Sequence, residues 1–271
     1  MNGGMLMLKR LLSSIVILIV FVPLLMTGGI PFSLFVGILS LLAFKEMLDL
    51  NKSHSKIPKG IELFGMMSLL VMVFYEYQST NLSFGVSHKL IAIFILLFLV
   101  PSLFHYKNGE YDTRDGFYLL GVVLLLGVSF NSLIVLRNMS LERVIYLFLI
   151  PVCTDVFAYL IGSLFGKRKV APNISPKKTL EGYIGGCVLG TILPTIYYYY
   201  FISNMNIIVL VVLTFVISIM GCIGDLLFSK IKRENGIKDF SNLIPGHGGI
   251  LDRLDSFIFG ILTYVLILMF Y

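Results

Sequence analysis

Charged residues make up only 13% of this 271-residue chain, whereas hydrophobic residues make up 57% and the mean hydropathy is +0.92. A soluble domain carries about 25% charged residues, so the composition excludes an ordinary water-soluble fold. The formal net charge is +6, which in so apolar a chain favours contact with anionic lipid or small anions. No nucleic-acid partner is expected.

Nine apolar segments are candidate membrane helices, since a spanning helix needs roughly 20 mainly apolar residues. In chain order they are Leu11–Thr27, Ile30–Ala43, Ile61–Tyr75, Leu90–Phe104, Phe117–Leu136, Val144–Phe165, Tyr183–Ile202, Ile207–Phe228 and Leu254–Tyr271. We therefore predict an all-α, polytopic integral membrane protein of about nine helices. The connections are too short to hold a soluble domain.

The chain divides into two predicted regions. The N-terminal region, 1–140, holds about five spans. The C-terminal region, 141–271, carries two polar loops at 166–182 and 229–253.

The basic residues indicate the orientation of these spans. Eighteen of the 21 Lys and Arg residues fall on the side of the N-terminus and the even-numbered loops, and the other three are Lys89, Arg137 and Arg143. Cytoplasmic loops carry an excess of Lys and Arg, so the richer side is predicted to be cytoplasmic. Both polar loops lie on that side.

Several carboxylates fall within or at the ends of the predicted spans. Asp155 lies midway along the sixth, Asp225 late in the eighth, and Asp252 and Asp255 at the start of the ninth. A charge at the centre of a membrane helix costs about 2.5–3.5 kcal/mol on insertion scales, so each acid needs a cation, a proton or water. A salt bridge between helices is one explanation. The set as a whole favours a metal site.

The spacing of these acids supports Mg²⁺ as the metal. Asp252 and Asp255 are three residues apart and share a helix face, while Asp225, Ser229 and Arg233 form a stripe at intervals of four. Mg²⁺ usually takes one or two carboxylates together with substrate phosphates. Asp225 and Asp252 are the predicted ligands, supported by Asp155 and Asp255. The sequence is compatible with a single bound Mg²⁺ and also with a second cation, which could be monovalent.

The two polar loops supply cations, hydroxyls and a glycine-rich turn. In the turn at 245–249, glycine permits a positive φ and a close approach of backbone N–H groups to an anion. His247 within it is a phosphate ligand, a proton carrier or a turn hydrogen bonder. Loop 166–182 offers ammonium groups beside hydroxyls, as a triphosphate or phosphate head group requires. Its predicted substrate-binding residues are Lys167, Ser175, Lys177, Lys178 and Thr179. Thr179 is also a predicted N-cap of the seventh span.

Two segments resemble the phosphatidate cytidylyltransferase family, also called CDP-diacylglycerol synthases. One signature is carried by Ser229, Lys232, Arg233, Lys238, Asp239, Gly246, His247, Gly248, Gly249, Asp252, Arg253 and Asp255. The other is carried by Asp155, Ala158, Tyr159, Gly162, Phe165, Gly166, Pro172, Ser175, Pro176, Lys178, Thr179 and Gly182. The resemblance covers about the C-terminal 120 residues.

The resemblance implies a membrane enzyme that condenses CTP with phosphatidate, giving CDP-diacylglycerol and pyrophosphate. It also implies Mg²⁺, a homodimer and a place in the cytoplasmic membrane among its lipids, with the active site facing the cytoplasm. The expected catalytic residues are Asp225, Asp252, Lys232, Arg233, Lys238, His247 and Arg253. Further substrate contacts are expected from Ser229, Asp239, Gly248 and Gly249.

Two other functions are compatible with acids in membrane helices. An intramembrane aspartyl protease would use Asp155 and Asp225, but the glycines at 221 and 224 do not give its Gly-x-Gly-Asp element, and that chemistry needs no basic loops. An ion-coupled transporter would show repeated halves, and none is visible in this sequence.

Overall fold

The computed structural model of the protein describes residues 3–51, 57–75, 87–105, 111–203 and 206–269, with backbone alone for 3–12 and 105. Within these ranges the chain is nearly all α. The helices are α1 (Gly3–Thr27), α2 (Gly29–Asn51), α3 (Lys59–Val73), α4 (His88–Leu99), α5 (Pro101–His105), α6 (Thr113–Met139), α7 (Leu141–Phe165), α8 (Leu180–Gly190), α9 (Ile192–Phe201), α10 (Ile207–Glu234) and α11 (Leu251–Leu268).

Each of the nine predicted segments is mainly helical where it is described; residues 270–271 of the last lie outside the described part. Seven correspond to one helix, and two are divided. The fourth segment divides before Pro101, which lacks an N–H and favours the first position of a new helix. The seventh divides at Thr191, which follows Gly190, a residue that lowers helix propensity.

Four described helices are long and apolar enough to cross a membrane: α2, α6, α7 and α10. Shorter apolar helices span Ser13–Thr27 and His88–Phe104. Large apolar side chains such as Phe104, Leu164 and Ile208 are at least 70% exposed. Such wide apolar exposure is typical of a lipid-facing surface.

A short hairpin lies in the first polar loop, where the sequence predicted no strand. Strand β1 (Lys169–Ala171) pairs antiparallel with β2 (Ser175–Thr179). Pro172 and Asn173 form the turn between them, closed by a 3.1 Å hydrogen bond from Ile174 N to Ala171 O. Proline suits the second position of such a turn because its φ is already fixed.

The chain forms two compact units. The N-terminal unit comprises residues 1–138 and 239–251, and the C-terminal unit comprises 139–238 and 252–271. The boundary predicted at residue 140 lies beside the first junction. The segment 239–251, which the sequence assigned to a C-terminal loop, belongs to the N-terminal unit.

The N-terminal unit packs aromatic rings against helical glycines. A Cβ on Gly65 would lie 2.6 Å from the ring of Phe44, which is fully buried. Arg137 satisfies carbonyl groups at the end of α1, with Nε 2.6 Å from the oxygen of Leu25 and Nη2 2.9 Å from that of Met26. These contacts join α3 to α2 and α6 to α1.

The C-terminal unit depends on a close approach of α7 and α8. Gly182, Gly186 and Gly190 recur every four residues along α8. A Cβ at any of the three would lie 2.7 Å from an atom of Ala158 or Thr154 on α7. Small residues at this spacing let membrane helices pack backbone to backbone. The contact brings Asp155 on α7 close to the start of α8.

Candidate active site

A cavity of about 480 Å³ lies in the C-terminal unit, between α7, β2, α8, α10 and α11. Its volume falls within the range of roughly 300–1,000 Å³ usual for ligand sites. It is lined by Asp155, Ala158, Tyr159, Gly162, Ser163, Lys177, Lys178, Thr179, Gly182, Tyr183, Asp225, Asp252, Asp255 and Ser256. All four acids predicted from the sequence therefore border one space.

Asp225 carries the first ion pair of the cavity. Its carboxylate pairs with the ammonium group of Lys178, which reaches it from the end of β2. The hydroxyl of Tyr183 donates to the same carboxylate at 3.4 Å. The Lys178 ammonium also lies 5.7 Å from the centre of the Tyr183 ring, within cation–π range. The hairpin therefore places the ammonium group of Lys178 beside Asp225 on α10.

The electrostatics of Lys178 involve more than one acid. Burial lowers the pKa of its ammonium group below the usual lysine value, while the carboxylates of Asp155 and Asp255 act in the opposite direction. The pKa nevertheless stays lowered, so desolvation exceeds the attraction of these carboxylates.

Asp252 carries the second ion pair. Lys232 Nζ lies 2.7 Å from Asp252 Oδ1, and only 10% and 4% of the two side chains are exposed. Lys232 comes from the last turns of α10 and Asp252 from the first turn of α11. Because both groups are buried, each depends on the other to offset its desolvation.

The hairpin that carries Lys178 is held at both ends. Thr179 caps α8, as predicted, by accepting a hydrogen bond from Gly182 N at 3.3 Å. The carboxylate of Glu181 accepts the backbone N–H groups of Lys167 and Arg168 at 3.0–3.2 Å. These hydrogen bonds lower the pKa of the Glu181 carboxyl group, that from Lys167 most. Helix α8 and the loop after α7 are thereby fixed to each other.

Helix α10 extends past the predicted end of the span at Phe228 and includes the whole predicted stripe. The helix continues to Glu234 because the polar segment after Phe228 contains no glycine or proline, so Ser229 and Arg233 are helical and not part of a loop. The Arg233 guanidinium donates to the carbonyl groups of Ile174 at 3.3 Å and Ile237 at 2.8 Å. Arg233 therefore connects the end of α10 to the hairpin turn.

Other predicted residues of the C-terminal unit do not line the cavity. Lys167, Arg233, Lys238 and Arg253 have exposed side chains, Ser175 and Ser229 are half-buried, and Lys232 is buried beside Asp252. Lys177 does line it. The cavity thus unites seven of the sequence-predicted residues directly: Asp155, Lys177, Lys178, Thr179, Asp225, Asp252 and Asp255.

The glycine-rich turn belongs to the N-terminal unit, as does Asp239, whose side chain is exposed. The imidazole of His247 has Nδ1 2.7 Å from Ser13 Oγ and Nε2 3.3 Å from Ser14 Oγ. Gly248 has a φ of +84°, which favours glycine, and its backbone pairs with that of Ile244. Gly249 is buried against the carboxylate of Glu46.

The donor set of the cavity suits Mg²⁺ in type. Among the described residues, no three His, Cys, Asp or Glu side chains converge into a ready-made metal cage. Mg²⁺ needs no such cage, because it commonly binds one or two carboxylates and completes its octahedron with water and substrate phosphate oxygens. Oxygen donors bordering one cavity meet that requirement.

Sequence reasoning assigned no role to Tyr183 or Glu46. The Tyr183 hydroxyl donates a hydrogen bond to Asp225. In the sequence, the one indication of such a role was the position of this hydroxyl one helical turn after the predicted cap Thr179. Glu46 is 4% exposed near the end of α2. Its only signal was an acid close to an apolar segment.

The fold and this cavity define an integral membrane protein whose site, lined by carboxylates and lysines, suits phosphate-bearing substrates. The chain belongs to the cytidylyltransferase family, whose family model matches residues 8–271.

Bacterial relatives agree with this assignment. Proteins named phosphatidate cytidylyltransferase from Staphylococcus haemolyticus (strain JCSC1435) and Staphylococcus aureus (strain COL) are 35% and 37% identical to the chain over 250 residues. One from Staphylococcus epidermidis (strain ATCC 12228 / FDA PCI 1200) is 34% identical over the same length. Each alignment covers 92% of this chain and 94% of the relative.

Proposed function

We propose that this protein transfers the cytidylyl group of CTP to phosphatidate, forming CDP-diacylglycerol and pyrophosphate, a nucleotidyl transfer of phospholipid biosynthesis. Membership of the cytidylyltransferase family and the names of the relatives support this activity. The observation that carries it in the structure is a single cavity lined by Asp225 and Asp252, which pair with Lys178 and Lys232 respectively.

The reaction requires stabilisation of charge more than proton transfer. A phosphatidate oxygen attacks the α-phosphorus of CTP, and the bond from that phosphorus to the bridging oxygen breaks. Pyrophosphate then leaves with the bonding electrons. Because a phosphate monoester is already anionic at neutral pH, the attacking oxygen needs no strong general base. Fixed cations around the phosphates are the main catalytic requirement.

The two lysines are suited to this task. Each ammonium group is held by a carboxylate that lines the cavity, so it is in place before an anion binds. We assign Lys178 and Lys232 to the triphosphate and the lipid phosphate, and Lys177, which lines the cavity beside Lys178, as a further cation. A lysine can contact the incoming phosphate as its carboxylate partner turns toward a metal ion.

We assign Asp225 and Asp252 as the residues that would hold Mg²⁺, with Asp155 and Asp255 in support. Bound Mg²⁺ supplies positive charge that offsets the negative charge developing on the phosphates. Tyr183 orients the Asp225 carboxylate through its hydroxyl group. The negative charges of Asp155 and Asp255 oppose the lowering of the Lys178 pKa that burial causes.

The other basic residues of the signature are assigned to outer contacts with the substrates. Arg233, Lys238 and Arg253 have exposed side chains in the C-terminal unit, as does Lys167. We assign them to charge neutralisation around the phosphates. His247 keeps the catalytic role, and Asp239 and Gly248 keep the substrate-binding role, that the family signature implies.

We propose a full topology of about nine spans without a soluble domain, in the cytoplasmic membrane among its lipids and as a homodimer. The excess of Lys and Arg on one side supports a cytoplasmic active site, where CTP is available. The four long apolar helices and the shorter ones at Ser13–Thr27 and His88–Phe104 support several membrane spans.

The activity is tested with purified protein and CTP labelled at either the α- or the γ-phosphorus. The expected result is α-label in lipid and γ-label in pyrophosphate, both dependent on phosphatidate and Mg²⁺. Comparison of the four nucleoside triphosphates tests selectivity for the base. Peptide cleavage without nucleotide turnover would instead support a protease, and ion flux without turnover would support a transporter.

A further inference from the structure

A buried carboxylate on α2 contacts the chain where α11 begins. Glu46 is 4% exposed and lies in the N-terminal unit together with residues 239–251. Its Oε1 accepts hydrogen bonds from Ile250 N at 2.9 Å and Ser241 Oγ at 2.7 Å, and its Oε2 accepts one from Leu251 N at 2.9 Å. Three donors therefore converge on one side chain.

These three hydrogen bonds offset the free-energy cost of burying the Glu46 carboxylate. A carboxylate removed from water is costly unless its oxygens are satisfied. The first N–H groups of a helix have no partner within the helix and carry a partial positive charge. Glu46 supplies that partner from a helix about 200 positions earlier in the chain.

Glu46 also explains one glycine of the family signature. A Cβ built on Gly249 would lie 2.3 Å from Glu46 Oε1 and 2.6 Å from Cδ, so only glycine fits beside the carboxylate. The backbone of Gly249 does not have a positive φ. Space, and not backbone conformation, is what requires glycine at this position.

We propose that Glu46 is a positioning residue for the transferase reaction, acting by fixing the N-terminus of α11. Asp252 directly follows Leu251 and Asp255 lies in the next turn, so the direction in which α11 starts determines where both carboxylates point. This inference rests on the proposed function, because it assigns Asp252 to the reaction. Glu46 itself touches no substrate in this account.

Glu46→Gln is the first test, with Glu62→Gln as its matched control. Gln keeps the shape but presents an NH₂ group to one of the N–H donors. We expect kcat to fall about 10–100-fold, as when a group that orients a functional ligand is lost. KM for CTP should change little. Glu62 is a half-buried carboxylate on α3, and its variant should retain full activity.

Hydrogen exchange separates positioning from a general loss of stability. In folded Glu46→Gln, peptides covering 249–254 should exchange faster, while peptides from α6 should not. A uniform rise in exchange, with activity that follows the folded fraction, would overturn the proposal. So would wild-type kcat combined with wild-type exchange.

A double-mutant cycle identifies the contact through which Gly249 acts. Gly249→Ala alone should be strongly impaired, because its Cβ overlaps Glu46. In a Glu46→Ala background, Gly249→Ala should reduce transferase activity little further, because the space beside Gly249 is then open. Equal costs in both backgrounds would show that Gly249 acts independently of Glu46 and would refute the inference. An inactive wild-type protein would instead refute the proposed function.

Discussion

Replacing Lys232 with methionine removes the cation of the buried Lys232–Asp252 ion pair while keeping an unbranched side chain only one atom shorter. Lys232 and Asp252 are 2.7 Å apart, and their side chains are 10% and 4% exposed. Loss of one partner from a buried pair typically costs about 3–5 kcal/mol, because an uncompensated charge is left behind. For a chain of this size each kcal/mol lowers the melting temperature by roughly 2–4 °C.

We therefore expect Lys232→Met to melt roughly 6–20 °C lower in detergent. Lys230→Met is the matched control on the same helix. Lys230 pairs with Glu234 at 3.6 Å, with the two side chains 56% and 60% exposed, so its loss should cost at most about 1 kcal/mol.

The double variant Lys232→Met, Asp252→Asn completes the experiment. It replaces the buried carboxylate of Asp252 with a neutral amide and should recover much of the melting temperature. It should not recover activity, because both groups are assigned to the reaction. If Lys232→Met melts like Lys230→Met and retains transferase activity, the structural and the catalytic assignments of this pair are both wrong.

Three further predictions concern single sites. Asp225→Asn and Asp252→Asn should each reduce transfer at least about 100-fold while the protein stays folded and inserted; near-normal activity in either would remove that carboxylate from the metal site. Lys178→Arg should move the alkaline limb of the kcat/KM profile to higher pH, because burial lowers the pKa of Lys178 whereas arginine stays charged; an unmoved limb would exclude Lys178 as the titrating group. Lys52→Ala should leave turnover nearly unchanged, because its loop offers no organised partners in the sequence; Lys52 lies outside the described residues, and a severe catalytic loss would contradict this prediction.

Much of the helical architecture is predictable from the sequence because each membrane helix is encoded locally by its apolar length. The divisions at Thr191 and before Pro101 were not predicted, since apolar content continues through both. The hairpin was also missed, although Pro172 and Asn173 are ordinary turn residues. A basic loop without alternating apolar positions gives no strand pattern to detect.

The residues that form the site were more predictable from the sequence than the ion pairs between them. Carboxylates in apolar segments identified Asp155, Asp225, Asp252 and Asp255, and the structure places all four around one cavity. That Lys178 pairs with Asp225 depends on how the hairpin folds, which spacing along the chain does not encode.

Long-range contacts were beyond sequence reasoning for the same physical reason. Glu46 and Leu251 are 205 residues apart, and nothing in either segment alone indicates that they meet. Likewise, the glycine at 249 was interpreted as a backbone site for an anion, whereas in the structure a carboxylate of the protein lies against it. Only the folded chain reveals which group occupies the space that a glycine leaves open.

The central proposal is that Asp225 and Asp252 jointly hold the divalent cation that accompanies CTP. The most direct measurement is Mn²⁺ binding by electron paramagnetic resonance, with and without CTP, in the wild type and in the two Asn variants. The account predicts that CTP tightens Mn²⁺ binding to the wild type and that either substitution abolishes this tightening. Unchanged CTP-dependent Mn²⁺ binding in both variants would contradict it.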